Sequence, residues 1–311
     1  MTREWRTDRD RVKGWHQATE GEARGQSVSG SCSRVQIVRV PPETPFRYTE
    51  RPPAPGLAEW ILSYWHFAAR EMPPAGEPYS VLPDGCTSVA VLALPSLPPA
   101  VVCVGPRATS FRPAILPGMQ LAGFRLWPDT TQALLGVAPG ALRDHQGPAP
   151  ASIMRGITSL AAAVTRALPA TGDEGPDRTF DALDRWAQET FADPAPPEPR
   201  VRRAVRAIAA ARGEVSLAKV ASAAHASSRQ LQRLFPAATG LTVSEYARVR
   251  RLREALAMRL QEDTAHWSRI AAERGFADHA HLTREFLALA GVPPTEAARQ
   301  LRRVDHRDVT P

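Results

Sequence analysis

Lysine is almost missing from this sequence: of 39 basic residues in 311, 37 are arginine. Cysteine is nearly as scarce. Cys32, Cys86 and Cys103 show no C-x-x-C spacing and no neighbouring pair of histidines, which argues against a disulfide framework and a zinc site, so no metal or cofactor is expected. Apolar runs are short as well. None approaches the roughly 18–20 residues that cross a bilayer, and the first residues lack the apolar stretch of a secretion signal. Together these absences point to a protein without a membrane partner, expected in the cytoplasm, where thiols stay reduced.

What is present is charge, placed unevenly. Residues 200–311 hold 20 basic and 11 acidic side chains, a balance of +9, whereas residues 1–199 hold 19 and 21, a balance of −2. A compositional bias would explain arginine over lysine throughout, but not a change of sign along the chain. The basic part is what a module needs if it is to neutralise phosphates and release their counterions.

The same part repeats itself. With a shift of 51 residues, Leu231 falls on Leu282, Arg233 on Arg284, Phe235 on Phe286, Gly240 on Gly291, Glu245 on Glu296 and Arg248 on Arg299. Upstream the shift is 50, so that Val220 matches Ile270, Ala221 matches Ala271 and His225 matches Gly275. Each copy reads as helix, tight turn, helix. In the first, Ser227 and Gln230 form a Ser-x-x-Gln capping box for the second helix; in the other, Gly275 suits a turn needing positive φ and Asp278 suits the next cap. Between the copies a further helix opens at Thr242 with Thr-Val-Ser-Glu.

Two such units, carried by SSRQLQRLFPAATGLTVSEYARVRRLREAL and IAAERGFADHAHLTREFLALAGVPPTEAARQ, resemble the DNA-binding region of AraC-family transcriptional regulators. The resemblance covers about the last third of the chain. It implies a sequence-specific DNA-binding regulator in which the second helix of each unit enters a major groove. Double-stranded DNA is then the expected partner, and RNA polymerase, a small-molecule effector and a second copy of the chain are the further partners that the resemblance admits. The expected location is beside the nucleoid.

Taken in order, residues 1–33 are polar and without periodicity, and are read as a disordered extension. Residues 34–150 carry short β-like runs between prolines, at 35–40, around 83–85, at 101–106 and at 119–128. The stretch 56–67 begins helically and runs into a strand. LPDG, VGP and GFRLWP occur in the order seen in the β-rich, barrel-like N-terminal domain of one AraC-family branch, which resembles a sensor or dimerisation module. Residues 151–193 return to helical spacing, with Ile153, Ile157, Leu160, Val164 and Leu168 on one face and Phe180, Leu183, Trp186 and Ala187 on another. That helical connector would either pair with a second copy or cover the β domain. A proline-rich linker follows at 194–199, then the helix-turn-helix domain at 200–304 and a tail at 305–311. The fold class is α+β multidomain, with an all-α C-terminal domain.

The resemblance assigns the reading face of the first recognition helix to Arg229, Gln232 and Arg233, with Ser228 near the backbone, and that of the second to His279, Ala280, His281, Thr283 and Arg284. Arginine forks onto guanine, glutamine onto adenine, and alanine meets a thymine methyl, at about 1–3 kcal/mol of discrimination for each good pair. Of Arg248, Arg250, Arg251 and Arg253 most would form a solvated face, with one contact to a phosphate. His225 stands where the family has glycine, and Pro236 predicts a shortened or kinked helix, since it removes a donor and opposes the carbonyl four residues back. Two other readings remain open. Cys86 and Cys103 would make a thiol-based redox or metal sensor, or Asp84, Cys86 and His66 would make a Cys-dependent enzyme, although no spacing supports the enzyme and catalysis is not expected.

Overall fold

The computed structural model describes residues 46–69, 80–169, 175–262 and 264–302. The expected N-terminal extension, the run at 35–40, Cys32 and the tail lie outside them. β1 (Phe46–Arg51), β2 (Ile61–Ala69), β3 (Ser88–Leu94), β4 (Leu97–Val104), β5 (Gln120–Leu126) and β6 (Gln146–Pro148) form one antiparallel sheet in the order β1-β2-β5-β3-β4-β6. Among the described residues β1 and β6 do not pair with each other, so the β-rich expectation is met by an open sheet and not by a closed barrel.

Register explains the two faces. Tyr64 opposes Phe124 and Phe124 opposes Val89, so these side chains share one face with Val91, Ala122 and Leu126, all fully buried. Onto that face pack α2 (Ala151–Met154), α3 (Leu160–Thr165) and α4 (Asp177–Thr190), which bring Ile153, Ile157, Leu160, Val164, Leu183 and Trp186 into the same core. Trp186 stacks on Phe124 with ring centroids 5.6 Å apart, and its indole N–H donates to Ser159 Oγ at 2.9 Å. Of the two roles open to the connector's apolar stripes, they cover the sheet. The single periodic run also splits in two at residues 155–159, where Gly156 interrupts it.

The opposite face is polar at one end. Arg125 donates to Glu50 Oε1 at 2.6 Å, to Tyr48 Oη at 3.2 Å and to Ser63 Oγ at 3.4 Å, and pairs with Asp84 at 2.7 Å. Tyr48 in turn donates to Glu50. Burial alone would raise the Glu50 carboxyl, but Arg125 and Tyr48 outweigh it and hold the group below the usual range. This cluster is what makes LPDG a fixed turn: Asp84 also accepts from the Cys86 N–H at 2.9 Å, and Gly85 then sits against Tyr246 of the C-terminal half.

The C-terminal half is all helical: α5 (Pro199–Ala210), α6 (Leu217–Ala223), α7 (Ser228–Thr239), α8 (Val243–Gln261), α9 (Trp267–Glu273), α10 (His279–Ala290) and α11 (Pro294–Leu301). The linker ends one residue early, because Glu198 caps α5 and Pro199 takes its first position. Two cores separate along α8, one with Val220, Leu231, Phe235 and Tyr246, the other with Leu256, Ile270, Leu282 and Phe286. Trp127 packs on the first and Leu82 on the second, so the N-terminal half touches both units.

His66 lies fully buried, its Nε2 at 3.1 Å from Gln120 Oε1, and burial pushes its pKa down to about 4 from 6.5. The folded value lies below the unfolded one, so the unfolded chain takes the proton first. Stability should therefore fall by about 2–3 kcal/mol as pH drops from 6.5 towards 4. Denaturant titrations across that window on wild type and His66→Gln should show a clearly shallower fall in the variant.

Candidate nucleic-acid interface

Each helical unit presents one helix outward, built by the same local devices twice. α6 and α9 have 7 residues each, and α7 and α10 have 12 each. Ser227 accepts from the Gln230 N–H at 3.2 Å while Gln230 Oε1 accepts from the Ser227 N–H at 2.8 Å, which closes the expected capping box. Asp278 starts α10 by accepting from the His281 N–H at 2.5 Å. His225 takes the expected left-handed turn at φ 49°, beside Gly275 at φ 63°. Cys86 and Cys103, in contrast, are deeply buried, and burial pushes the Cys103 thiol up to about 12 and that of Cys86 higher still. Asp84 is tied to Arg125, and neither the sensor nor the enzyme reading finds an accessible thiol or a thiolate at Cys86 or Cys103.

On α7, Leu231 and Phe235 point into the core, while Arg229, Gln232 and Arg233 are exposed and Ser228 is half-buried at the helix start. On α10, Leu282, Phe286 and Leu289 are buried, and His279, Ala280 and Arg284 are exposed. Arg229, Arg233 and Arg284 have no carboxylate partner among the described residues. Two members of the expected reading set are turned back on their own helix. His281 is half-buried, with Nδ1 accepting from the Ala277 N–H at 3.1 Å and its ring against Phe276, and the Thr283 hydroxyl donates to the His279 carbonyl at 2.9 Å. His281 stands three residues after its N-cap, the position from which a side chain reaches back to the turn.

Pro236 does not shorten α7, which runs on to Thr239 and equals α10 in length. The carbonyl that loses its donor is that of Gln232, on the exposed side, where water can satisfy it. The arginines of α8 also differ from expectation. Arg248 forks onto Glu285 of α10 at 2.7 and 3.0 Å, Arg250 is buried and pairs with Glu254 at 3.3 Å, and Arg251 donates to the Gly213 and Gly275 carbonyls at 3.1 and 3.3 Å. Arg248 and Arg251 therefore tie α8 to its neighbours and Arg250 pairs within α8, so these three are not a solvated face. Sequence reasoning missed this because a helical wheel shows sides, not the loop carbonyls that a long guanidinium can reach.

Missed too were two N-terminal side chains that touch the far ends of the outward helices. Arg143, after a 3-10 turn at Pro139–Leu142, donates to the Gly240 carbonyl at 3.0 Å and pairs with Glu245 at 2.6 Å. Ser110 Oγ donates to the Ala290 carbonyl at 2.8 Å, and its N–H to that of Leu289 at 2.7 Å. The hydrogen bond from Arg143 holds the Glu245 carboxyl down to about 2.

Comparison with known proteins matches residues 220–300 to a helix-turn-helix domain family and residues 49–148 to a domain family of unknown function. A search of curated protein sequences finds no match. Among solved structures, the chain is similar to apo ToxT from Vibrio cholerae strain SCE256, at 11% identity and TM-score 0.40, over 72% of this chain and 93% of that one. ToxT from Vibrio cholerae O395 follows at 10% and 0.38, over 72% and 92%, and an unsaturated fatty acid bound ToxT at 10% and 0.38, over 82% and 94%.

Arg251→Met should separate fastening from reading. Losing both carbonyl contacts is expected to lower unfolding free energy by about 1–3 kcal/mol in denaturant titration, with the preferred ligand sequence unchanged.

Proposed function

We propose that this chain, through its paired helix-turn-helix units, acts as an AraC-type transcriptional regulator that binds DNA sequence-specifically, and that particular residues of the two outward helices do the reading. Arg229, Gln232 and Arg233 read one major-groove segment, and His279, Ala280 and Arg284 read the next. Ser228 lies at the α7 start, where backbone N–H groups favour a phosphate, and His281 and Thr283 shape the α10 start instead of reaching bases. One observation carries this reading: both outward helices keep exposed arginines without carboxylate partners, while Arg248, Arg250 and Arg251 on the connecting helix are engaged by carboxylates and carbonyls.

The N-terminal half is a platform in this reading and not a catalyst, since Cys86 and Cys103 are buried and Asp84 is paired with Arg125. A small-molecule effector would act through this half, because it touches both reading units. Work on DNA places the protein beside the nucleoid, where RNA polymerase or a second copy of the chain would meet it.

Selection of bound sequences from random DNA with the intact protein tests the assignment. A bipartite consensus is expected, bound at about 10⁻⁸ M or tighter at physiological salt. Arg233→Ala should weaken binding by about 1–3 kcal/mol and relax the preference at one position of one half only. A pool that returns no consensus, or a variant that shifts every position alike, would overturn the reading.

A further inference from the structure

The two contacts made by Ser110 and Arg143 fall at matching places in the repeat. Gly240 and Gly291 are related by the 51-residue shift, end α7 and α10, and take left-handed backbones at φ 77° and 71°. Beyond such a glycine the last carbonyls of a helix lack intrahelical donors and need partners from elsewhere. Here one short stretch of the N-terminal half approaches both ends. Pro106 packs so closely on Gly240 that a Cβ there would lie 2.6 Å from its ring, and four residues on Ser110 bonds the α10 end. Arg143 reinforces the first contact through the Gly240 carbonyl and through Glu245, the residue that closes the capping box of α8.

That stretch is itself held taut. The Gly105 N–H donates to the His145 carbonyl at 3.0 Å, and the Asp144 N–H to that of Pro106 at 3.1 Å. Arg107 donates to the Thr109 carbonyl at 3.1 Å and to Gln146 Oε1 at 3.0 Å, and lies over the Phe111 ring at 4.5 Å. Phe111 exchanges two backbone bonds with Val81, at 2.8 and 3.1 Å. Both ends of residues 105–111 are thus anchored in the N-terminal half, while Pro106 and Ser110 contact the ends of the two helical units.

We infer that residues 105–111, with Arg143, act as a ruler: they hold the C-terminal ends of both recognition helices and so set which spacing between the two DNA segments the protein accepts. Ser110 and Arg143 are positioning residues, since they act through α10 and α7 and touch no base. They grip the ends opposite to those that carry the reading residues, so they fix each helix without covering its reading face. The inference deepens the DNA-reading proposal and rests on it.

The test uses the full chain, its selected operator, and versions of that operator with one base pair inserted or removed between the two segments. Wild type should lose at least about tenfold in affinity on either change. Ser110→Ala combined with Arg143→Ala should shrink that penalty to about threefold or less, even as affinity for the best site falls, and Ser110→Thr with Arg143→Lys should restore part of it. Should the double alanine variant fail to fold, Ser110→Ala alone, which keeps the backbone bond, carries the same comparison. A spacing penalty unchanged in the variants, however much affinity drops, would overturn the ruler, as would a wild type already indifferent to spacing. A wild type that binds no operator at all would overturn the DNA reading beneath it.

Discussion

A helix that reads DNA has to leave its outward side chains unpaired, so whatever fixes its position must come from its buried side and its two ends. In this protein that constraint is met twice. Each recognition helix buries Leu and Phe at equivalent places, Leu231 and Phe235 on one and Leu282 and Phe286 on the other. Each starts at a side-chain cap and ends at a glycine, where a donor from outside meets the Gly240 carbonyl in the first and the Leu289 and Ala290 carbonyls in the second. The arginines on the exposed side are then left to meet phosphate and base, where a guanidinium makes a stronger and more directional contact than it would with water.

The connecting helix α8 carries the rest of the arrangement. It lies between the two cores of the helical domain and adds directed contacts to the apolar packing. Arg251 spans from the turn after α5 to the turn after α9, and Arg248 reaches across to Glu285. Removing either partner of such a semi-buried pair leaves a charge or carbonyl without its donor, which costs more than the pair contributes when made. Contacts from the N-terminal half, through Tyr246 on Gly85 and Arg206 over Trp127 at 3.6 Å, join the helical domain to the sheet. The sheet in turn is locked by the cluster of Arg125 and Asp84 with the buried Glu50.

Local signals were legible in the sequence wherever the structure relies on local physics. The repeat, both capping boxes, the cap at Asp278, the left-handed His225 and the buried stripes of α7 and α10 all follow from short spacings that one stretch of chain settles by itself. What was not legible depends on distant partners. β1 and β6 are short edge strands whose pairing, not their composition, defines them. Pro236 predicts a shortened or kinked helix because propensity counts the lost donor, whereas α7 runs on to Thr239, since the cost depends on whether the orphaned carbonyl faces water. Arg143 and Ser110 carry no signal at all in isolation, since Glu245 and Ala290 lie 102 and 180 residues away. Among the reading residues, type and helical phase identified the exposed set, while the inward turn of His281 depended on Phe276 and the Ala277 N–H.

The most direct test of the account is hydroxyl-radical footprinting of the intact protein on its operator, which reports where the backbone is covered and on which side of the duplex. Two protected patches about one helical turn, or 10 base pairs, apart on a single face are expected, and Arg284→Ala should weaken only one of them. One continuous patch, or two on opposite faces, would contradict a pair of helices held to read neighbouring groove segments.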